Sequence, residues 1–154
     1  MNQEKRPGGL TALAVFNFIF SGANLLGLLG WVVIFFIIIG VIPTDQMNED
    51  QQKQMEAFKD LGIPIFIFIL VLSIISGILL LVSGIGYLKQ KKIMGRMLGN
   101  IYAVISIIST IISGILINDP EIGGGFNLGM ILNLIYPVLT LILLNSTFKD
   151  DLTN

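Results

Sequence analysis

Four long stretches of this chain carry no charged residue at all: Pro7–Thr44, Leu61–Leu88, Met97–Asn118 and Ile122–Phe148. Each exceeds the roughly 20 apolar residues that take a helix across a bilayer. Without water, a spanning backbone must satisfy its own hydrogen bonds, so only helices or closed barrels qualify. These runs are continuously apolar rather than alternating, which selects helices. The expected fold is therefore all-α: an integral membrane, antiparallel four-helix transmembrane bundle. Spans are predicted near residues 10–42, 63–88, 97–118 and 124–147 of a single domain, 1–154. Charged residues make up only 12% of the chain, against about 25% in soluble domains.

Lys5 and Arg6 precede the first run much as in a secretory signal. The run continues far past the 7–15 residues of a signal core, and no small-residue cleavage site follows it. It reads as an uncleaved first span. At 1.5 Å per residue, residues 10–42 reach about 50 Å against a hydrocarbon core of about 30 Å. Such a helix must tilt or extend into the interface. Trp31 lies inside this run, which predicts packing between helices or against lipid rather than an interfacial anchor.

Basic residues set the orientation. Lys5, Arg6, Lys89, Lys91, Lys92, Arg96 and Lys149 all fall on one side of a four-span chain, and only Lys53 and Lys59 fall on the other. The expectation is a bacterial cell membrane location with N- and C-termini cytoplasmic. The connection Lys89–Arg96 is basic and contains no acid. It serves first as a topology signal, and Lys89, Lys91, Lys92 and Arg96 also suit contact with anionic lipid head groups.

The first connection is predicted to hold a short amphipathic outer helix over about 48–61. Asn48 suits the N-cap with Gln51 at the third position of a capping box. Glu49 and Asp50 fall in the first turn, where the helix dipole favours acids, and Gly62 suits the C-terminal stop. Met47, Met55, Phe58 and Leu61 share one face, as expected of a helix resting on the membrane or the bundle. The third connection, Asn118–Gly125, combines Pro120 with three glycines and reads as a flexible turn. It lacks the Lys-Ser/Thr of a phosphate loop.

Composition excludes two large classes of active site. There is no cysteine and no histidine, which removes thiolate chemistry, zinc–thiolate sites and the commonest proton-transfer and metal-binding side chain. No Asp, Glu, Lys or Arg lies within the spans, whereas ion-coupled transporters usually depend on one. The small multidrug resistance transporters, also four-span proteins, need an acid in their first helix, and this chain has none there. The outer acids Asp45, Glu49, Asp50, Asp119 and Glu121 read as solvated loop charges and helix-start residues. A net charge of −1 gives no field favouring nucleic acid, and no cofactor is expected.

Neutral polar residues do occur in the spans. Asn17, Ser21 and Asn24 share a face of the first; Asn100, Ser106 and Thr110 that of the third; Asn133 and Thr140 lie on the fourth. Two readings fit them. They form the inner seam of the bundle, where small and weakly polar side chains let helices approach and bond in lipid. Alternatively they line a polar cavity that holds or passes a solute. The seam is the expectation.

The opening Arg6-Pro7-Gly8-Gly9-Leu10-Thr11-Ala12-Leu13-Ala14-Val15-Phe16-Asn17-Phe18 resembles that of small bacterial four-span inner-membrane proteins. So do Gly84-Ile85-Gly86-Tyr87-Leu88-Lys89 with Gly95-Arg96 and Tyr102-Ala103, and Tyr136-Pro137-Val138-Leu139 with Leu143-Leu144-Asn145. The resemblance runs over nearly the whole chain and implies an architecture, not functional residues. The function expected is non-enzymatic: an accessory or scaffold subunit acting by helix packing with itself, as a homo-oligomer, or with a membrane protein partner. The alternative is a transporter or channel for a neutral or weakly polar solute, or a holin-like pore former.

Overall fold

Helix α1, Gly8–Ile38, occupies the first uncharged run. It stops before Ile42, which the hydropathy alone had included. Gly40 takes a positive φ of +79°, the amide of Gly40 donates to the Ile37 carbonyl (3.0 Å) and that of Val41 to the Phe36 carbonyl (2.9 Å). This is a Schellman-type stop, which a glycine in the left-handed region provides. A computed structural model describes residues 7–45, 47–116 and 127–152. Lys5, Arg6 and the third connection with Asp119, Pro120, Glu121 and its glycines lie outside the described residues.

Helix α2, Glu49–Asp60, has the capping box in full. Asn48 Oδ1 accepts from the Gln51 amide (2.9 Å), and the Asn48 amide donates to Gln51 Oε1 (3.2 Å). Gly62 follows with φ +81°. Met47, Met55, Phe58 and Leu61 are half-buried, and the opposite face is exposed. Asn48→Ala removes one half of the box and is expected to cost about 1 kcal/mol of local stability. Faster amide hydrogen exchange over 49–54, with the long helices unchanged, is the measurement that checks this.

Helix α3 spans Ile63–Leu88, as the hydropathy predicts. The basic connection is shorter than expected, because a π-helical turn, Lys92–Met97, runs directly into α4, Leu98–Leu116. Only Lys89–Lys91 remain outside helices, with Gln90 at φ 51°. The reason lies in the crossing at Gly86 and Gly95. Each is buried, and a Cβ on Gly86 would come within 2.6 Å of Gly95 Cα. Backbone meets backbone here. Helix α5 covers Leu128–Asn145.

Four helical units are long and apolar enough to cross a membrane: α1, α3, the π turn with α4 to Ile115, and α5. The chain is a multi-pass membrane protein with an all-α, bundle-type fold, and among the described residues there is no strand. Many large apolar side chains, such as Leu26, Leu29, Ile78, Ile108 and Ile135, face outward, as they do where lipid is the solvent.

The helices pack as two antiparallel hairpins. α1 lies along α3, and α4 along α5, while α3 also meets the π turn and α4. The hairpins join at the end carrying the basic turn. There Leu10, Leu13, Ala14, Tyr87 and Leu144 form a core with Phe148 and Leu152 from the C-terminal tail. A smaller cluster of Leu80, Tyr102 and Ala103 lies next to it. At the opposite end α2 touches α1, and Trp31 packs edge-on against Phe58 of α2 (5.7 Å) and Phe66 of α3 (5.4 Å). Trp31 is thus held between helices, as its position within the run predicts.

Candidate functional site: a polar cleft between the hairpins

The neutral polar residues of the spans separate into three groups. The first is a buried knot at Asn17, which is fully inaccessible. Its Nδ2 donates to the Leu80 carbonyl (3.1 Å) and to Ser83 Oγ (2.7 Å), and its Oδ1 accepts from the Tyr136 hydroxyl. One carboxamide therefore ties α1 to α3 and α5. One turn on, Ser21 Oγ donates to the Gly77 carbonyl (3.1 Å). Gly77 and Gly84, seven residues apart on α3, let α1 come close: a Cβ on Gly84 would lie 3.2 Å from the Asn17 Cβ. Thr140 is buried and returns its hydroxyl to the Tyr136 carbonyl (2.8 Å). Asn17, Ser21 and Thr140 belong to the seam. The Tyr87 hydroxyl is buried near Ser83 and Asn17 and completes no hydrogen bond with protein.

The second group is a pair on the outside of the α4–α5 hairpin. Asn100 and Asn145 exchange hydrogen bonds (3.2 and 2.9 Å), and Arg96 Nη2 reaches Asn145 Oδ1 (3.4 Å). Arg96 thereby leans back on α5, while Lys89, Lys91 and Lys92 stay exposed at the same end. Asn100 is therefore neither in the central seam nor in a cavity.

The third group lines an open space. On the α2 side of Tyr136 the hairpins part. Among the described residues, the last ring contact between them is Phe20 with Tyr136 (4.4 Å). Beyond it lies a cavity of about 650 Å³, within the range of small-molecule pockets. Asn24, Ser106, Thr110 and Asn133, all singled out from sequence, line it, together with Ser73, Ser76, Ser109 and Ser113. Phe20, Tyr102 and Tyr136 form its floor, and Trp31 with Phe58 stands at its α2 end. All four long helices contribute, and every described lining residue is uncharged.

Two local details bear on its chemistry. Asn24 lies beside Gly77, and its Oδ1 is buried with no hydrogen-bond donor. Pro137, which lines the cavity with Asn133, has no N–H, so the Asn133 carbonyl loses its helical donor four residues on. α5 nevertheless runs through Pro137 as one helix. Thr110, by contrast, is satisfied by the Ser106 carbonyl (2.8 Å).

Tyr136, on the same helix as Asn133 and Thr140, closes the knot and forms the floor, while the sequence reading missed the roles of Asn145, the partner of Asn100, and of the tail residues Phe148 and Leu152. Phe148 and Leu152 stand four apart in an otherwise polar tail, the spacing of one helical face, and that was the available signal. Among the described residues no cluster of three His, Cys, Asp or Glu is placed to hold a metal ion. No family model, curated protein or solved structure matches the chain.

Proposed function

We propose that the protein is non-enzymatic and works by holding a guest in the cleft between its hairpins. The observation that carries this reading is the cleft itself: bounded by the core at the basic end, and lined among the described residues by polar groups from four helices. Internal packing accounts for Asn17, Ser21 and Thr140, but not for Ser73, Ser76, Ser109 and Ser113, whose side chains have no protein partner among the described residues. These serines are half-buried, and polar groups that face an apolar medium without partners are costly, so a lining of this kind suits a hydrated or occupied space. This reading takes the place of the seam for half of the polar residues and brings forward the solute-binding alternative.

The setting we propose is the bacterial cytoplasmic membrane with both termini inside. In support, Lys89, Lys91, Lys92 and Lys149 lie at one end of the fold and the acid-rich α2 at the other. With that orientation the cleft lies on the outer side of the core that joins the hairpins, which suits binding or delivery better than free conduction.

A second reading is an accessory or scaffold subunit, with the cleft taken by a transmembrane helix of a partner or a second copy. It is favoured by Ser106, Ser109, Thr110, Ser113 and Gly114 along α4, a small-residue face of the type that helices pack on in lipid. The two separate in one experiment. Protein released from native membranes in mild detergent is expected to carry a low-molecular-mass adduct in native mass spectrometry. Ser109→Phe, which fills the cleft, should reduce its occupancy at least tenfold while leaving the thermal midpoint unchanged. A co-purifying polypeptide lost in the same variant supports the scaffold; a bare monomer contradicts both.

A further inference from the structure

We infer that the cleft takes an uncharged, hydroxyl-bearing group, carried either by a neutral lipid head or by a soluble polyol. This rests on the reading of the cleft as a binding site and narrows its occupant.

Charge is the first filter. No Lys, Arg, Asp or Glu is among the described lining residues. An ion or a phosphate head group entering would lose hydration without meeting an opposite charge, a large penalty at low dielectric. Hydrogen-bond inventory is the second. Serine hydroxyls both donate and accept, and the Asn133 carboxamide does the same. One acceptor among the lining residues, the Asn24 Oδ1, is buried without a donor, and Pro137 takes the usual helical donor from the Asn133 carbonyl. A guest with O–H groups satisfies acceptors and takes hydrogen bonds from the serines at once. Ethers and ketones cannot donate, and an alkyl chain leaves the whole set unpaired. The ring faces of Phe20, Tyr102 and Tyr136 at the floor suit the C–H surface of such a guest.

The test is equilibrium dialysis of four labelled probes against the full chain in nanodiscs, corrected with empty nanodiscs. They are 1-monooctanoylglycerol, glycerol, octyl phosphate and decane. The expected result is saturable binding of about one molecule per chain for monooctanoylglycerol or for glycerol, at least tenfold tighter than octyl phosphate and decane. It should be lost in Ser109→Phe and kept in Gly30→Ala, a position with nothing within 4 Å. Which neutral probe binds identifies the lipid or the soluble source. Octyl phosphate or decane binding equally well overturns the inference but leaves the cleft a binding site. No saturable binding by any probe also overturns it; water-reactive thiols along the cleft would then still uphold the cleft itself.

Discussion

Gly86→Val is expected to abolish recoverable folded protein, the largest effect of any single substitution in this chain. The space a side chain would need at Gly86 is filled by the backbone of Met94 and Gly95. A flexible neighbour could turn aside, but a main chain held in a π turn cannot. Gly95 is itself enclosed, since a Cβ there would lie 3.1 Å from the Gly86 carbonyl carbon and 3.2 Å from Leu152 Cδ2. Opening this crossing separates α3 from the π turn and lifts the tail from the core of Leu10, Tyr87 and Leu144. In lipid no hydrophobic force between helices restores the contact, because the tails are as apolar as the side chains. The loss should be about 3 kcal/mol or more, the upper end for overpacking. Monodisperse yield in mild detergent and the midpoint of SDS-induced unfolding read it directly. Gly30→Ala, with open space around it, should leave both unchanged or slightly improved. Wild-type behaviour of Gly86→Val would show that the close crossing is wrong.

Asn17→Leu should be the second largest effect. The leucine removes the bonds to Leu80, Ser83 and Tyr136 together. It also leaves the Tyr136 hydroxyl and the Leu80 carbonyl without the partner that joined the hairpins. Interhelical bonds in membranes contribute about 0.6 to 2 kcal/mol each, so the combined loss of three is about 2 to 6 kcal/mol. Asn24→Leu supplies the contrast. Among the described residues Asn24 Oδ1 is buried without a donor, so that variant should be neutral or mildly stabilising while weakening any guest. Equal destabilisation by the two variants in SDS titration would contradict the division between knot and cleft.

That contrast marks the limit of what the sequence carried. Asn17, Ser21 and Asn24 share one helical face and look alike in a helical projection. The first two hydrogen-bond to α3, whereas the third abuts Gly77 of the same helix without a donor for its Oδ1 and lines the cleft. A single-helix pattern records which face is polar, not how far the facing helix stands. Hydropathy placed α3 at Ile63–Leu88, and the capping box placed α2, because those signals are local. The end of α1 needed the φ of Gly40, and the π turn needed the Gly86–Gly95 contact. Asn100 could not be separated from the seam without Asn145, its partner 45 residues away. The burial of Phe148 and Leu152 depends on the core they complete at the basic end.

The central claim, a hydrated cleft between the hairpins with no charge among its described lining residues, has a direct test. The chain has no cysteine, so single thiols can be placed along α4 without background. Only the hydrated thiolate reacts with a maleimide. In liposomes with a membrane-impermeant reagent, cysteines replacing the cleft residues Ser106, Ser109 and Ser113 should react about tenfold faster, or more, than those replacing the outward-facing Val104, Ile108 and Ile111, because only the cleft admits water to ionise the thiol. A threefold to fourfold spacing of reactive positions along α4 is the predicted result; uniformly slow labelling at all six would contradict the cleft.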